Sequence, residues 1–525
     1  MLTLPLTASS PAYLHVLQDI SLILLCAFFT PLLTTVAILS RILSPYTETT
    51  KHIQNHRKWR AASSSTFRPR RILVTGVGMS KGLTLARTFY RAGHQVVGAD
   101  FEPYRIPVCG HFSSSIEKFH RLSKPTTESG AERAYIEHLK KIIEEDHIEL
   151  WVSVSGNASV LADGEAAEII ENETTCKAIQ FGLNLTGTLH DKHSFIGTTR
   201  EMGLNVPDTH LVTSEAEAVA VLYPEKPRYT IGNRYILKSV GWDENIRTDM
   251  TILPMYTRQE TTQHIKSVGP TPFRPFVLQQ YIEGPEYCTH SLIINGKVEA
   301  FVACSSSDLL LEYIPLPASS ALSQAMLRYT TIYAKKMLAS GTGHFSLDFL
   351  VDENIARKAE IKMGVSPSEV RDFMNFIYPI ECNPRPNTAG ILFADKSEDL
   401  AEAYLSVLNQ HEPKGVFNGH LSEDLVIPAP YTPSYYWIGS DFITMVLLPL
   451  LQLLQFKRTF LDLLERWIEF AERVVYWRDG TYEIWDPWPA WWLYIGYWPA
   501  MFVVSLWQRK WWSRCSIPLN KKFSC

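Results

Sequence analysis

The apolar positions change their spacing several times along the chain. Residues 20–38 are almost wholly apolar, interrupted by Thr30, Pro31, Thr34 and Thr35. Nineteen such residues just suffice to cross the hydrocarbon core of a bilayer. From residue 71 an apolar strand, R-I-L-V-T, meets a glycine turn, then a helix-spaced stretch, then a second strand ending at Asp100. A helical pattern over 131–145 and a strand over 149–154 continue the alternation. Further on, apolar strands end in polar residues. R-Y-I-L-K-S ends on Lys238 and Ser239, and F-V-L-Q-Q-Y-I-E-G-P-E runs into a glycine-proline turn before Glu286. Asn295-Gly296 predicts a tight hairpin, and residues 321–339 a helix. H-F-S-L-D-F-L-V-D places Asp348 inside an apolar strand, and I-E-C-N-P-R follows at 380–385. Residues 442–454 are apolar, but Pro449 and a short length favour a buried or interfacial helix over a span. Residues 484–512 are dense in tryptophan.

These patterns divide the chain. Residues 1–45 form a membrane anchor, 46–69 a polar, basic linker, and 70–185 a Rossmann-like βαβ domain. Residues 186–410 form a second α/β unit, with a surface insertion at about 351–380, and 411–525 a Trp-rich tail. The tail, ending in Arg509, Lys510 and Arg514, suits a membrane interface or packing onto the body. Asp19 precedes the apolar run, whereas Arg41, Lys51, Arg57, Lys58, Arg60, Arg68, Arg70 and Arg71 follow it. The positive flank predicts one crossing with the bulk of the chain in the cytosol.

Composition narrows the class. Of 525 residues 46% are hydrophobic and 20% charged, as in globular proteins. A net charge of -4 gives no sign of a nucleic-acid partner. Eight cysteines without a C-x-x-C pair argue against a zinc site or disulfide framework and for reduced thiols. N-x-S/T triplets at Asn157, Asn172 and Asn184 read as chance matches in a cytosolic domain.

The candidate chemistry is that of phosphate and metal. Glu381 and Asn383 are two apart on a strand and so share a face. Two hard oxygen ligands followed by Arg385 suit Mg²⁺ on a polyphosphate, and Asp348, an acid in an apolar strand, needs a partner such as a shared metal. Lys238 at the end of an apolar strand is out of place unless it meets an anion. Lys192 stands at a predicted helix start and by itself reads as solvated. The backbone of Gln280, Tyr281 and Ile282 suits an adenine edge and Glu286 a ribose, although a plain strand-turn-strand has the same pattern. Gly76, Gly78 and Gly82 would admit a phosphate at a helix N-terminus, a weak signal for NAD(P). Ser155-Gly156-Asn157 sits at a strand end, and the loop V-G-W-D with Arg247 offers further contacts.

In this order the segments resemble the ATP-grasp superfamily across about residues 70–410. The resemblance implies that Lys192 and Lys238 hold the α- and β-phosphates, that Gln279, Gln280, Tyr281 and Ile282 form the adenine hinge, and that Glu286 binds ribose. It implies that Asp348, Glu381 and Asn383 ligate Mg²⁺, or Mn²⁺ in its place, and that Arg385 steadies the transferred phosphoryl group. Y-I-L-K-S with D-M-T-I-L-P, E-Y-C-T-H-S with N-G-K-V, I-E-C-N-P-R, and D-P-W-P at 486–489 are similar in wording to the mycosporine-glycine synthases. Those ligases join glycine to 4-deoxygadusol. The anchor and the insertion depart from that pattern, and the glycine-rich lid is reduced to V-G-W-D. The expectation is an ATP-dependent carbon–nitrogen ligase of specialised metabolism. It would take a small-molecule acid or cyclohexenone-like acceptor, an amino acid and ATP, on membrane lipid. An NAD(P)-dependent oxidoreductase accounts only for residues 76–100. An inactive membrane scaffold accounts only for the anchor.

Overall fold

The computed structural model describes residues 6–7, 9–62, 67–126, 130–154, 156, 159–224, 234–239, 251–306, 311–408 and 425–525. Ser155, Asn157, the V-G-W-D loop and Arg247 lie outside them. The chain opens with α1 (Ala12–Leu43) and α2 (Glu48–Ala62). Among the described residues α1, with the turn after it, is the one helix long and apolar enough to cross a membrane, by length and composition. The stretch expected as a linker is largely α2. His56 Nδ1 donates to the carbonyl of Arg91 at 3.2 Å, and the Arg57 guanidinium lies 4.0 Å from the Tyr90 ring. A helix that docks through imidazole and guanidinium groups shows no apolar stripe, so its sequence pattern is that of a linker.

The next unit alternates strands and helices: β1 (Arg71–Thr75), α3 (Ser80–Arg91), β2 (Gln95–Phe101), β3 (Lys118–Leu122), α4 (Ala131–Glu145), β4 (Leu150–Val152), α5 (Val160–Glu173) and β5 (Lys177–Ile179). Among the described residues these five strands form one parallel sheet in the order β3-β2-β1-β4-β5. The strand order reverses between β1 and β4, the point where open α/β sheets leave a crevice.

After α6 (Leu183–His190) and α7 (Lys192–Glu201) come β6 (Thr209–Val212), α8 (Glu215–Leu222), β7 (Tyr235–Ser239), α9 (Arg258–Val268) and β8 (Phe276–Gln280). The strands of this group make a small antiparallel sheet in the order β6-β8-β7. A second antiparallel sheet follows, built from β9 (Glu286–Ile294), β10 (Lys297–Ser305), α10 (Ala321–Met337), β11 (Gly343–His344), β12 (Ser346–Val351), α11 (Glu353–Ile361), α12 (Pro367–Phe373) and β13 (Ile377–Asn383). Its order is β10-β9-β12-β13, with β11 also on β9. Asn295 and Gly296 both have positive φ, 48° and 75°, as the two-residue turn of a hairpin requires. The insertion is the pair α11 and α12, which turns Ala356, Ala359 and Val370 onto the same core as Tyr329 and Tyr333 of α10.

The chain ends with α13 (Ser397–Leu405), β14 (Tyr435–Tyr436), α14 (Ile438–Asp441), α15 (Leu448–Leu454), α16 (Phe460–Tyr476), β15 (Arg478–Asp479), α17 (Trp488–Trp492), α18 (Trp498–Gln508), β16 (Trp512–Ser516) and β17 (Lys521–Ser524). Trp437, Trp498, Phe502 and Trp512 share one apolar core with Ile72, Val74, Leu292, Val302 and Phe393. The tryptophan-rich region is thus packed on the body. Arg87 of α3 and Asp486 form a buried pair at 2.9 Å, and Asp486 also accepts from Ser113 Oγ at 2.6 Å and Ser114 N at 2.7 Å.

Candidate active site

Three neighbouring strands bring the acids together. The register pairs Asp348 of β12 with Glu381 of β13 and with Cys288 of β9, so the two carboxylates stand side by side, with Glu286 two residues further along β9. A bulge at Ile380 makes this alignment, because Asp348 faces Glu381 whereas Phe349 faces Pro379. Pro379 is tolerated because β13 is an edge strand. Asn383 follows at the strand end. Its Nδ2 donates to Asp348 Oδ2 at 2.9 Å and lies 3.4 Å from Glu381 Oε1, while its Oδ1 accepts from the Arg385 guanidinium at 2.7 Å. Arg385 is turned back by its own N–H, which donates to the Asn383 carbonyl at 2.8 Å.

Two lysines enter from other elements. Lys192 heads α7, whose first turn is capped by Asp191 accepting from Ser194 N, and it pairs with Glu381. Lys238, near the end of β7, donates to Gln279 Oε1 at 2.8 Å. Burial, then the Lys192 ammonium, pushes Lys238 down to about 8, while Glu381 and Glu286 oppose that shift. Burial raises Glu381, but the Lys192 ammonium, with a hydrogen bond from Asp348 and the Arg385 guanidinium, holds the carboxyl well below its ordinary range. Burial and then Glu381 push Asp348 well up. Two cations, two coupled acids, an amide and a guanidinium therefore converge between the small sheet and the larger one.

No family model matches the chain, and no curated protein matches its sequence. Solved structures do resemble it. An L-amino acid ligase from Bacillus licheniformis is 16% identical, with 65% of this chain and 75% of that one covered and a TM-score of 0.41. An N5-carboxyaminoimidazole synthetase from Staphylococcus aureus, complexed with ADP, is 14% identical over 66% and 78%, with a TM-score of 0.44. A phosphoribosylglycinamide synthetase from Anaerococcus prevotii is 12% identical over 65% and 76%, with a TM-score of 0.43. At such identities and scores, function has to be read from the side chains of the site itself.

The hinge residues lie where β8 leaves the small sheet. The N–H of Gln280 donates to Asp208 O at 2.7 Å and that of Tyr281 to Arg234 O at 2.6 Å. The Gln280 side chain accepts from Asp208 N at 3.1 Å, the Tyr281 ring carries the Arg234 guanidinium at 5.1 Å, and Ile282 is buried. Gln279 reaches the site through its side chain on Lys238. The turn beyond is fixed to the end of β12. A Cβ on Gly284 would sit 1.8 Å from Val351 O, so only glycine fits. Glu286 is exposed and accepts from Ser306 Oγ at 2.9 Å.

The glycine turn after β1 is filled by protein. The N–H of Gly78 donates to Asp100 Oδ2 at 2.6 Å, and a Cβ there would meet that oxygen at 2.8 Å. The C-terminal turn closes over it, with Ser80 N donating to Pro518 O at 3.0 Å and Asn520 Nδ2 to Gly78 O at 2.5 Å. The groups expected to meet a phosphate are thus bonded within the chain. Three residues near the site carry no local signal in the sequence. Lys81 Nζ, buried, donates to Pro386 O at 2.8 Å, and Ser346 Oγ to Arg385 O at 2.9 Å, so both hold the loop that aims Arg385. His190 is pushed down by burial and then by Arg385. Only the fold brings them there.

Proposed function

We propose that the chain is an ATP-dependent ligase that joins a small acid to an amino group. The observation that carries this reading is the meeting of Lys192 and Lys238 with Asp348, Glu381, Asn383 and Arg385. Cations from two elements opposite a carboxylate pair suit a nucleoside triphosphate held with a divalent cation. The donor set fits such a cation. Asp348 and Glu381 are carboxyls pressed together, of which Glu381 carries the charge, and a divalent ion would let both ionise. Asn383 at present turns its nitrogen to the acids, so its amide has to turn over to offer oxygen. Bound there, Mg²⁺ would withdraw charge from the phosphate oxygens.

The side chains do the rest. Lys192 and Lys238 hold the polyphosphate, Gln280 and Ile282 offer backbone groups to the base, and Glu286 accepts from the ribose hydroxyls. Arg385 stands where charge grows on the transferred phosphoryl group. That group passes from ATP to an oxygen of the acid, releasing ADP. The amine then attacks the activated carbon, the C–N bond forms, phosphate leaves with the oxygen, and a proton is lost from nitrogen. An oxidoreductase reading finds no support in the glycine turn, whose amides are already bonded.

The test is a panel of amino acids with candidate acids, 4-deoxygadusol among them, scored for ATP-dependent phosphate release and a product of the combined mass. One pair should give both signals together. Phosphate release with no condensed product from any pair counts against a ligase.

A further inference from the structure

The helix α1 has two distinct faces. One is fastened to the tryptophan-rich region along nearly its whole length. His15 stacks on Trp511 with centroids 5.1 Å apart, Asp19 Oδ1 accepts from Trp512 Nε1 at 2.8 Å, Thr34 Oγ1 accepts from Trp491 Nε1 at 3.0 Å, and Ser40 Oγ lies 2.6 Å from the Tyr482 hydroxyl. From residue 15 to 40 that is roughly 37 Å of helix. The other face is an exposed stripe, Leu17, Leu24, Phe28, Leu32, Leu39 and Leu43, at helical spacing. The hydroxyl on this face is satisfied internally: Thr35 Oγ1 donates to Pro31 O at 2.8 Å. A helix facing hydrocarbon has to satisfy its own polar groups in this way.

The stripe continues onto other helices. Phe29 meets Phe442 edge-on at 5.0 Å, and Phe442 meets Phe470 of α16 at 6.1 Å. Beside them α16 exposes Leu461, Leu464 and Ile468 on one side. Its acids Glu465, Glu469 and Glu472 run along one border of that side, Glu465 four residues on from Leu461 and Glu472 four on from Ile468. The turn before α16 exposes Phe456 at 97%, next to Lys457 and Arg458. At the end of α18, Trp507 is 79% exposed, next to Arg509 and Lys510. Apolar tips bordered by bases match the interface of an anionic lipid leaflet.

We propose that α1, α16 with the turn before it, and the end of α18 form one surface that enters a single leaflet of an anionic membrane, with α1 lying along the body instead of crossing. A crossing α1 would carry Trp491, Trp512 and the strands behind them through the bilayer core. At its other end α1 leads through a short turn into α2, which is bonded to α3 beside the parallel sheet.

Two measurements test this on the full chain. In intact vesicles of phosphatidylcholine with phosphatidylserine, protease added outside should remove a tag at the N-terminus. Protection of that tag shows a crossing helix and overturns the proposal. In flotation assays, binding should be stronger with phosphatidylserine than with phosphatidylcholine alone, and Phe456→Glu with Leu461→Glu should weaken it by at least about tenfold. Both side chains are exposed, so the fold and ATP-dependent phosphate release should be kept. Unchanged binding of the double variant, or a detergent-free dimer that ignores vesicles, overturns the proposal in favour of another occupant.

Discussion

Glu381 bears the charge of the pair it makes with Asp348, and its other partner is Lys192. Glu381→Gln keeps the shape and removes the charge. Turnover should fall by about a hundredfold or more, as when a group stabilising transition-state charge is lost, while the circular dichroism spectrum stays that of the wild type. Wild-type turnover should likewise stop in EDTA and return with Mg²⁺. Lys238 gives a pH signature. Its value of about 8 lies below that of an ordinary lysine, so the free protein loses this charge as pH rises through that value. A polyphosphate favours the charged form, so ATP binding takes up a proton there and affinity falls as pH climbs above about 8. In Lys238→Arg the charge persists and the fall should vanish. Equal ATP affinity on both sides of that window in the wild type would show that Lys238 does not meet the phosphates. The spacing of Glu381 and Asn383 was legible in the sequence, because a strand's period of two is local. The pairing of Asp348 with Glu381 was not, since it depends on a bulge and a register between residues 33 positions apart in the chain.

Among the elements, the strands and helices that bear the site follow from apolar spacing, and the hairpin at Asn295-Gly296 follows from its turn residues. α2 escaped because its contacts are polar. The proposed hinge turn also needs tertiary contact to be seen, as Gly284 is fixed by the end of β12. Gly284→Ala has to displace either the hinge or that strand, and should weaken ATP binding by about tenfold, the equivalent of about 1.4 kcal/mol. An unchanged dissociation constant would separate the hinge from the nucleotide. The D-P-W-P string contains a buried ion pair between α3 and the tail. Asp486→Ala leaves Arg87 buried without its partner and should cost about 3–5 kcal/mol, read as a lower thermal midpoint.

Taken as one molecule, the chain folds its tail over the glycine turn after β1 of the parallel sheet. Pro518 and Asn520 come from the far end of the sequence to the turn at Gly78, a contact that no local pattern reveals. The triphosphate reading therefore concerns the space between the two antiparallel sheets, and the dinucleotide reading the crevice of the parallel one. Calorimetric titration of the full chain with ATP in Mg²⁺, and separately with NADH, distinguishes them. The account predicts binding of ATP, lost in Lys238→Met, and no binding of NADH. Binding of NADH without ATP would contradict it.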